Sequence, residues 1–332
     1  MMKAFVTGGT GFVGCHVVRA LLERGDAVRC LARASSPRDN LAGLDVEVVT
    51  GDLTDAAAIE RFAAGCDAVF HCAADYRLYV PDPAAMFAAN VDGTRNVLAA
   101  AEKASAARIV YTSTVGALGL HDDGTPADET APVSYARMIG PYKRSKFQAE
   151  RVAEEFAARG VPVVIVNPST PVGERDVKPT DTGKIVVDFL NGRIPAYVDT
   201  GLNLIDVRDC AQGHLLAAER GRVGEKYILG CRNLELREIL EILARLTGLP
   251  APRRRLPHWI PVAFAAVDTL RARVFGGTPR VSYDAARLAR HKMFFDASKA
   301  VRELGLPQAP VEDALGRAVD WFREHGYVRS AA

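Results

Sequence analysis

The sequence predicts an α/β fold: a doubly wound parallel sheet carrying a smaller, mostly helical cap in the C-terminal half. Three observations carry that expectation. The chain opens on a short apolar run that breaks into glycines and then into a helical pattern, Lys3–Gly14, KAFVTGGTGFVG. Near-continuous apolar runs then alternate with helical stretches to about residue 167, the pattern of strands buried on both faces. From Pro168 onward, Gly-, Pro- and Asp-rich segments separate isolated helices.

The first unit is strand, tight turn, helix, with Ala4–Val6 apolar and the helix predicted over Phe12–Arg24. Gly8, Gly11 and Gly14 stand at GxxGxxG spacing, one residue wider than the usual GxGxxG fingerprint. Gly8 lets the chain leave the strand, Gly11 lets backbone approach a phosphate, and Gly14 lets the helix pack on the strand. Free N–H groups at a helix start then suit a pyrophosphate. Further strands are expected at Ala27–Leu31, Val46–Thr50, Ala68–His71, Arg108–Thr112 and Val161–Asn167. Helices are expected at Ala56–Ala64, Pro83–Ala104 and Tyr142–Arg159. Right-handed crossovers leave little besides a Rossmann sheet. Residues 1–167 therefore read as a dinucleotide-binding and catalytic domain. Residues 168–332 read mainly as a substrate cap, with some segments returning to the sheet. The cap is expected to hold helices at Lys184–Asn191, Val207–Glu219 and Leu236–Leu246, a strand at Lys226–Leu229, and loops at Thr170–Gly183 and Val198–Leu204.

A net charge of +2 argues against a dedicated nucleic-acid binder. The strand at Lys3 leaves no room for a signal peptide, and no apolar run reaches the ~20 residues of a membrane span. A cytoplasmic location is the expectation. Six scattered cysteines without a CxxC pair read as buried free thiols rather than disulfides or a metal site. Arg253–Arg255 precede Trp259–Val267 (WIPVAFAAV), and Arg271 and Arg273 follow. That helix is expected to pack on the core; lying in a bilayer interface is the other reading.

An NAD site usually carries an acid at the end of the second strand, to hold the ribose hydroxyls. This chain has Cys30-Leu31-Ala32-Arg33 there. A guanidinium suits a 2′-phosphate, which favours NADP, with NAD the alternative. Asp52, after the third strand, is placed to meet the adenine amino group or to serve a turn.

Tyr142 and Lys146 stand four apart on one helix face. A free phenol has a pKa of about 10, and a nearby ammonium is expected to lower it. Such a tyrosine can give a proton to a carbonyl oxygen as hydride arrives, or take one from an alcohol as hydride leaves. The strand RIVYTST ends in hydroxyls roughly 30 residues earlier, where Ser113 or Thr114 could hold the substrate oxygen. Tyr111 and Tyr135 lack a lysine four residues on.

With these features in order, the chain resembles the extended short-chain dehydrogenase/reductase superfamily from about residue 2 to residue 325. The stretches CAADYRLYVPDP, MIGPYKRSKFQAE, VVIVNPSTPVG and DFLNGRIPAYVDTGLNLIDVRDCAQGHLLA are most similar to hopanoid-associated sugar epimerases, and also to dihydroflavonol 4-reductases. The resemblance implies that Gly8, Gly11, Phe12, Val13 and Gly14 line the pyrophosphate. It implies that Arg33 meets the 2′-phosphate and that Asp52 and Leu53 border the adenine. Cys72, Ala73 and Ala74 then run past the nicotinamide ribose, which Lys146 also touches, and Pro168 and Ser169 lie beside the nicotinamide. The family's catalytic serine falls on Thr114, so the implied catalytic set is Thr114, Tyr142 and Lys146. Asn90 matches a supporting asparagine. A homodimer, a small-molecule substrate (sugar, polyol or ketone) and a role in hopanoid lipid metabolism are implied as well. A protein that senses NADP without turnover is the reading from another class, because a fold alone does not set function.

Overall fold

The computed structural model describes residues 1–279 and 281–328. The first half runs β1 (Lys3–Thr7), α1 (Phe12–Glu23), β2 (Ala27–Ala32), β3 (Glu47–Thr50), α2 (Ala56–Ala63) and β4 (Ala68–His71). It continues through α3 (Ala84–Phe87), α4 (Gly93–Lys103), β5 (Arg108–Thr112), α5 (Gly140–Ala158) and β6 (Val163–Pro168). The second half runs β7 (Thr170–Val172), α6 (Asp181–Leu190), β8 (Ala196–Val198), β9 (Gly201–Asp206), α7 (Val207–Arg220) and β10 (Lys226–Leu229). Then come β11 (Arg232–Glu235), α8 (Leu236–Thr247), β12 (Arg254–Leu256), α9 (Trp259–Phe275), α10 (Tyr283–Leu288), β13 (Lys292–Met293), α11 (Ser298–Leu304) and α12 (Val311–Glu324).

Seven parallel strands form the main sheet, in the order β3-β2-β1-β4-β5-β6-β10. The strand order reverses between β1 and β4, which opens a crevice at their carboxyl ends. Each face buries its own apolar layer. One holds Val17, Leu21, Phe70, Val110 and Leu215, the other Phe5, Ile59, Leu98, Ile109 and Phe156. β4 and β6 are buried along their whole length, which is why they read as unbroken apolar runs.

Three segments differ from expectation. Lys226–Leu229 is no cap strand: it pairs with β6 as the seventh strand of the main sheet. The helix expected in the cap over Val207–Glu219 is α7, which lies against α1 and β6 on one face of that sheet. The stretch Val198–Leu204, expected as loop, contains most of β9, the strand on which β7, β11 and β13 assemble. Asn203 disguised it. This polar residue is buried because its side chain bonds the Phe295 carbonyl and Asn233. The cap proper has its own core, where Val186, Phe189, Leu240, Leu243, Leu315 and Phe322 meet.

The helix expected over Pro83–Ala104 is continuous but widened. Residues Ala88–Asp92 form a π turn between α3 and α4. Such bulges frequently mark functional sites.

Candidate active site

The glycine turn is shaped by what a side chain would strike. Gly8 has φ +76°, and a Cβ there would lie 2.6 Å from the Ala73 nitrogen. At Gly14 a Cβ would lie 2.2 Å from the Gly8 carbonyl oxygen. Gly9, which the spacing argument passed over, would place one 2.5 Å from the Cys30 sulfur. The Gly11 N–H donates to the Gly8 carbonyl at 2.9 Å and closes the turn. Helix α1 then begins at Phe12 with no side-chain cap and no acidic residue in its first turn. Its orphan N–H groups and positive dipole end are thus left for an anion.

Arg33 is exposed just beyond β2, and its charge helps to hold the Asp52 carboxyl below its ordinary value. The larger causes of that lowering are bonds within a turn: Asp52 Oδ1 accepts from the Thr54 N–H at 2.9 Å and the Thr54 hydroxyl at 2.7 Å. Leu53 follows, and its carbonyl accepts from Asn96. The loop Cys72–Ala74 leaves β4 against the glycine turn. The Cys72 N–H donates to the Thr7 carbonyl, and the Ala73 N–H donates to the Thr7 hydroxyl. Across the crevice, Pro168 ends β6, and the Ser169 N–H donates to the Leu229 carbonyl. The Ser169 hydroxyl oxygen is buried without a partner among the described residues.

The two candidate hydroxyls follow β5 and reach α5 at different points along it. Ser113 turns inward and donates to Glu150 at 2.5 Å. Thr114 stands beside the Tyr142 phenol, close enough for its hydroxyl to pull the phenol's pKa down, and accepts from the Gly116 N–H at 3.0 Å. Geometry therefore selects Thr114.

Tyr142, Lys146 and Glu150 share one face of α5. Lys146 is buried and donates to the Tyr111 hydroxyl at 2.9 Å and to the Thr112 carbonyl at 2.8 Å. This corrects one expectation: the lysine rests on Tyr111 and does not lower the Tyr142 pKa. Burial pushes the Tyr142 phenol up to about 12, with the Thr114 hydrogen bond pulling the other way. Burial likewise pushes Lys146 down to about 8, opposed by Glu150. Glu150 is wholly buried yet well partnered, by Ser113, Asn167 at 2.8 Å, Lys226 at 2.7 Å and Arg151 at 3.1 Å. Tyr135, by contrast, is exposed and packs against Phe147.

A polar chain links the two halves of the crevice. Thr7 and His71 Nδ1 are 2.7 Å apart, and His71 Nε2 lies 3.0 Å from the Thr94 hydroxyl. Thr94 donates to the Asn90 carbonyl, so it accepts from Nε2, and His71 takes the neutral tautomer protonated there. Burial holds the His71 pKa down, at about 3. Asn90 sits in the π turn and is buried, not on a helix surface. It donates to Ser145 at 2.9 Å, and Ser145 donates to the Tyr142 carbonyl at 2.8 Å. Sequence reasoning missed Thr7, His71, Thr94, Ser145 and Glu150. Of these, only Glu150 left a readable signal, four residues beyond Lys146.

The residues present fit a dinucleotide. A Cβ at Gly8, Gly9 or Gly14 would collide with its neighbours, and the helix start is uncapped and without acid.

Comparison with known proteins agrees with this geometry. Residues 4–230 match the sequence pattern of the NAD dependent epimerase/dehydratase family. A protein of Synechocystis sp. provisionally named dihydroflavonol 4-reductase is 50% identical over 98% of this chain and 96% of its own. Sterol demethylase protein B of Methylococcus capsulatus is 36% identical over 98% of this chain and 100% of its own. Among solved structures, a nucleoside-diphosphate-sugar epimerase of Pseudomonas aeruginosa superposes with a TM-score of 0.82. It is 32% identical and covers 99% of both chains.

Proposed function

From the premise that the chain belongs to the NAD dependent epimerase/dehydratase family, an extended short-chain dehydrogenase/reductase enzyme, we propose an NADP-dependent oxidoreductase acting at a carbinol or carbonyl carbon. The observation that carries the reading is the placing of Thr114 beside the Tyr142 phenol just beyond β5, with buried Lys146 one turn further along α5. Gly8, Gly11, Phe12, Val13 and Gly14 hold the pyrophosphate of the dinucleotide. Arg33 meets its 2′-phosphate, Asp52 and Leu53 border its adenine, and Cys72–Ala74, Lys146, Pro168 and Ser169 line its nicotinamide end. The dinucleotide supplies or accepts the hydride.

Thr114 and Tyr142 hold the substrate oxygen between two hydroxyls. With a phenol pKa of about 12, Tyr142 stays protonated at neutral pH and is ready as the donor to a carbonyl oxygen. That protonation state favours reduction as the resting readiness of the site. Lys146, one turn from the phenol, brings a positive charge to the nicotinamide ribose, and Glu150 favours that charge. Thr114 with Thr7, His71, Thr94, Asn90 and Ser145 orients the helix end; none of these needs to change charge.

The substrate reading is a sugar-like or polyol headgroup on a polycyclic lipid, in hopanoid metabolism. The likeness to sterol demethylase protein B supports a polycyclic lipid, and the likeness to a nucleoside-diphosphate-sugar epimerase supports a sugar-like group. A ketone reductase of dihydroflavonol 4-reductase type is the second reading, favoured by the 50% identical relative. Incubation with NADPH and candidate ketones or sugars separates these. Stoichiometric loss of reduced cofactor marks a reductase, and isomerised sugar without net cofactor change marks an epimerase. Binding of NADP with no turnover of any carbonyl or sugar, unchanged in Tyr142→Phe, would leave only a sensor.

A further inference from the structure

Helix α9 is built inside out. The residues it buries are small or polar: Ala265, Asp268, Thr269 and Ala272. Its large apolar side chains face outward, with Val267 70% exposed, Val274 64% and Phe275 82%. Trp259, Phe264 and Leu270 are exposed beside them. A surface helix ordinarily shows the reverse pattern, and an apolar stripe of this length marks a binding face. The expectation that this helix packs its apolar side on the core is therefore corrected.

The charges around the stripe have one sign. Arg253, Arg254, Arg271 and Arg273 are exposed, whereas the helix's single acid, Asp268, is buried and bonded to Arg271. A second copy of the chain would bring arginines against arginines. An anionic lipid surface would meet the arginines with phosphates and the apolar stripe with acyl chains. No described helix is long and apolar enough to cross a membrane, so α9 would lie in the plane of the interface. The inner side of the same helix connects to the neighbourhood of the candidate active site. Helix α10 packs on α9, and the Tyr283 N–H donates to the Thr269 hydroxyl at 3.1 Å. On α10, Asp284 closes against Gly140, two residues before Tyr142.

We propose that the outer face of α9 docks on an anionic bilayer, with Trp259, Phe264, Val267 and Leu270 at the boundary between headgroups and acyl chains. This surface stands independently of which substrate the enzyme takes. The test is co-sedimentation of the full chain with phosphatidylcholine vesicles, with and without phosphatidylglycerol, while Trp emission is followed. Trp259 is 70% exposed and the other tryptophan, Trp321, is buried, so a blue shift reports on α9. The expected result is pelleting and a blue shift with the anionic vesicles only, reversed by salt. Val267→Asp with Leu270→Asp should abolish both, and Arg253→Gln with Arg273→Gln should weaken partitioning by about tenfold or more. Both variants should keep the far-ultraviolet circular dichroism and the NADP affinity of the parent. Protein that stays in the supernatant with both vesicle types overturns the proposal. So does a dimer that Leu270→Asp dissociates in the absence of vesicle binding, because the face would then belong to a second copy.

Discussion

The crevice has two sides made of different material. Around Gly8–Gly14 it is backbone: the turn is held by contacts between main-chain atoms, and side chains matter by their absence. Around Thr114, Tyr142 and Lys146 it is side chains, and burial shifts the pKa of the phenol and of the amine. The backbone side is rigid and insensitive to pH. The side-chain side is tunable, since a neighbour's charge can move a pKa there without moving an atom.

Five substitutions would break or sharpen that contrast. Tyr142→Phe should lower kcat by about 10²–10⁴ while NADP affinity, read by titration calorimetry, stays within a few-fold. Equal loss of both would show that the two sides are not separable. Gly14→Ala should do the opposite. Its Cβ meets the Gly8 carbonyl oxygen, which cannot yield as a side chain can. A strain of about 1–3 kcal/mol corresponds to roughly ten- to a hundredfold weaker cofactor binding, with the pH profile unchanged.

The pH profile itself tests the side-chain half. Lys146 carries its charge below about pH 8 and loses it above, so kcat/KM for reduction should fall as pH rises through about 8. Because Glu150 holds that value up, Glu150→Gln should move the falling limb to lower pH. It should also cost about 1–3 kcal/mol of stability, because Ser113, Asn167 and Arg151 lose the buried carboxylate, whereas Lys226 keeps Glu154 at 2.8 Å. The sign for stability follows from the same shift. The folded lysine, at about 8, binds its proton less tightly than the ordinary 10.5, so unfolding takes up a proton between those values. The lysine's contribution to stability therefore rises with pH across that window, as thermal melts of the parent and Lys146→Met would reveal. The smallest effect is expected at Arg33→Ser. Arg33 is exposed, and its loss should reduce the preference for NADPH over NADH by about tenfold without changing kcat. An unchanged preference would assign the 2′-phosphate to another group.

Much of this was legible before any coordinates. The glycine spacing, the apolar strand runs and the alternation with helices led to the sheet, because each depends on neighbours close in the chain. Tyr142 and Lys146 could be paired on one face because helical spacing is local. Strand β9 was not legible: Asn203 breaks its apolar pattern and is buried only because Phe295 and Asn233 supply bonds from 30 or more residues away. Nor was the outward apolar face of α9 legible: an apolar run between arginines does not say which side the rest of the molecule covers.

The amino-acid order alone determined that a parallel α/β sheet would open on a turn where side chains do not fit. It also determined that a tyrosine and a lysine would share a helix face behind it. Only the tertiary structure decided that Thr114 rather than Ser113 faces the phenol, and that Lys146 rests on Tyr111. It alone made Glu150 the buried counter-charge, and burial is the main cause that raised the phenol's pKa. Ionisation and hydrogen bonding depend on which distant groups exclude water from a given atom, and that is a property of the packed chain.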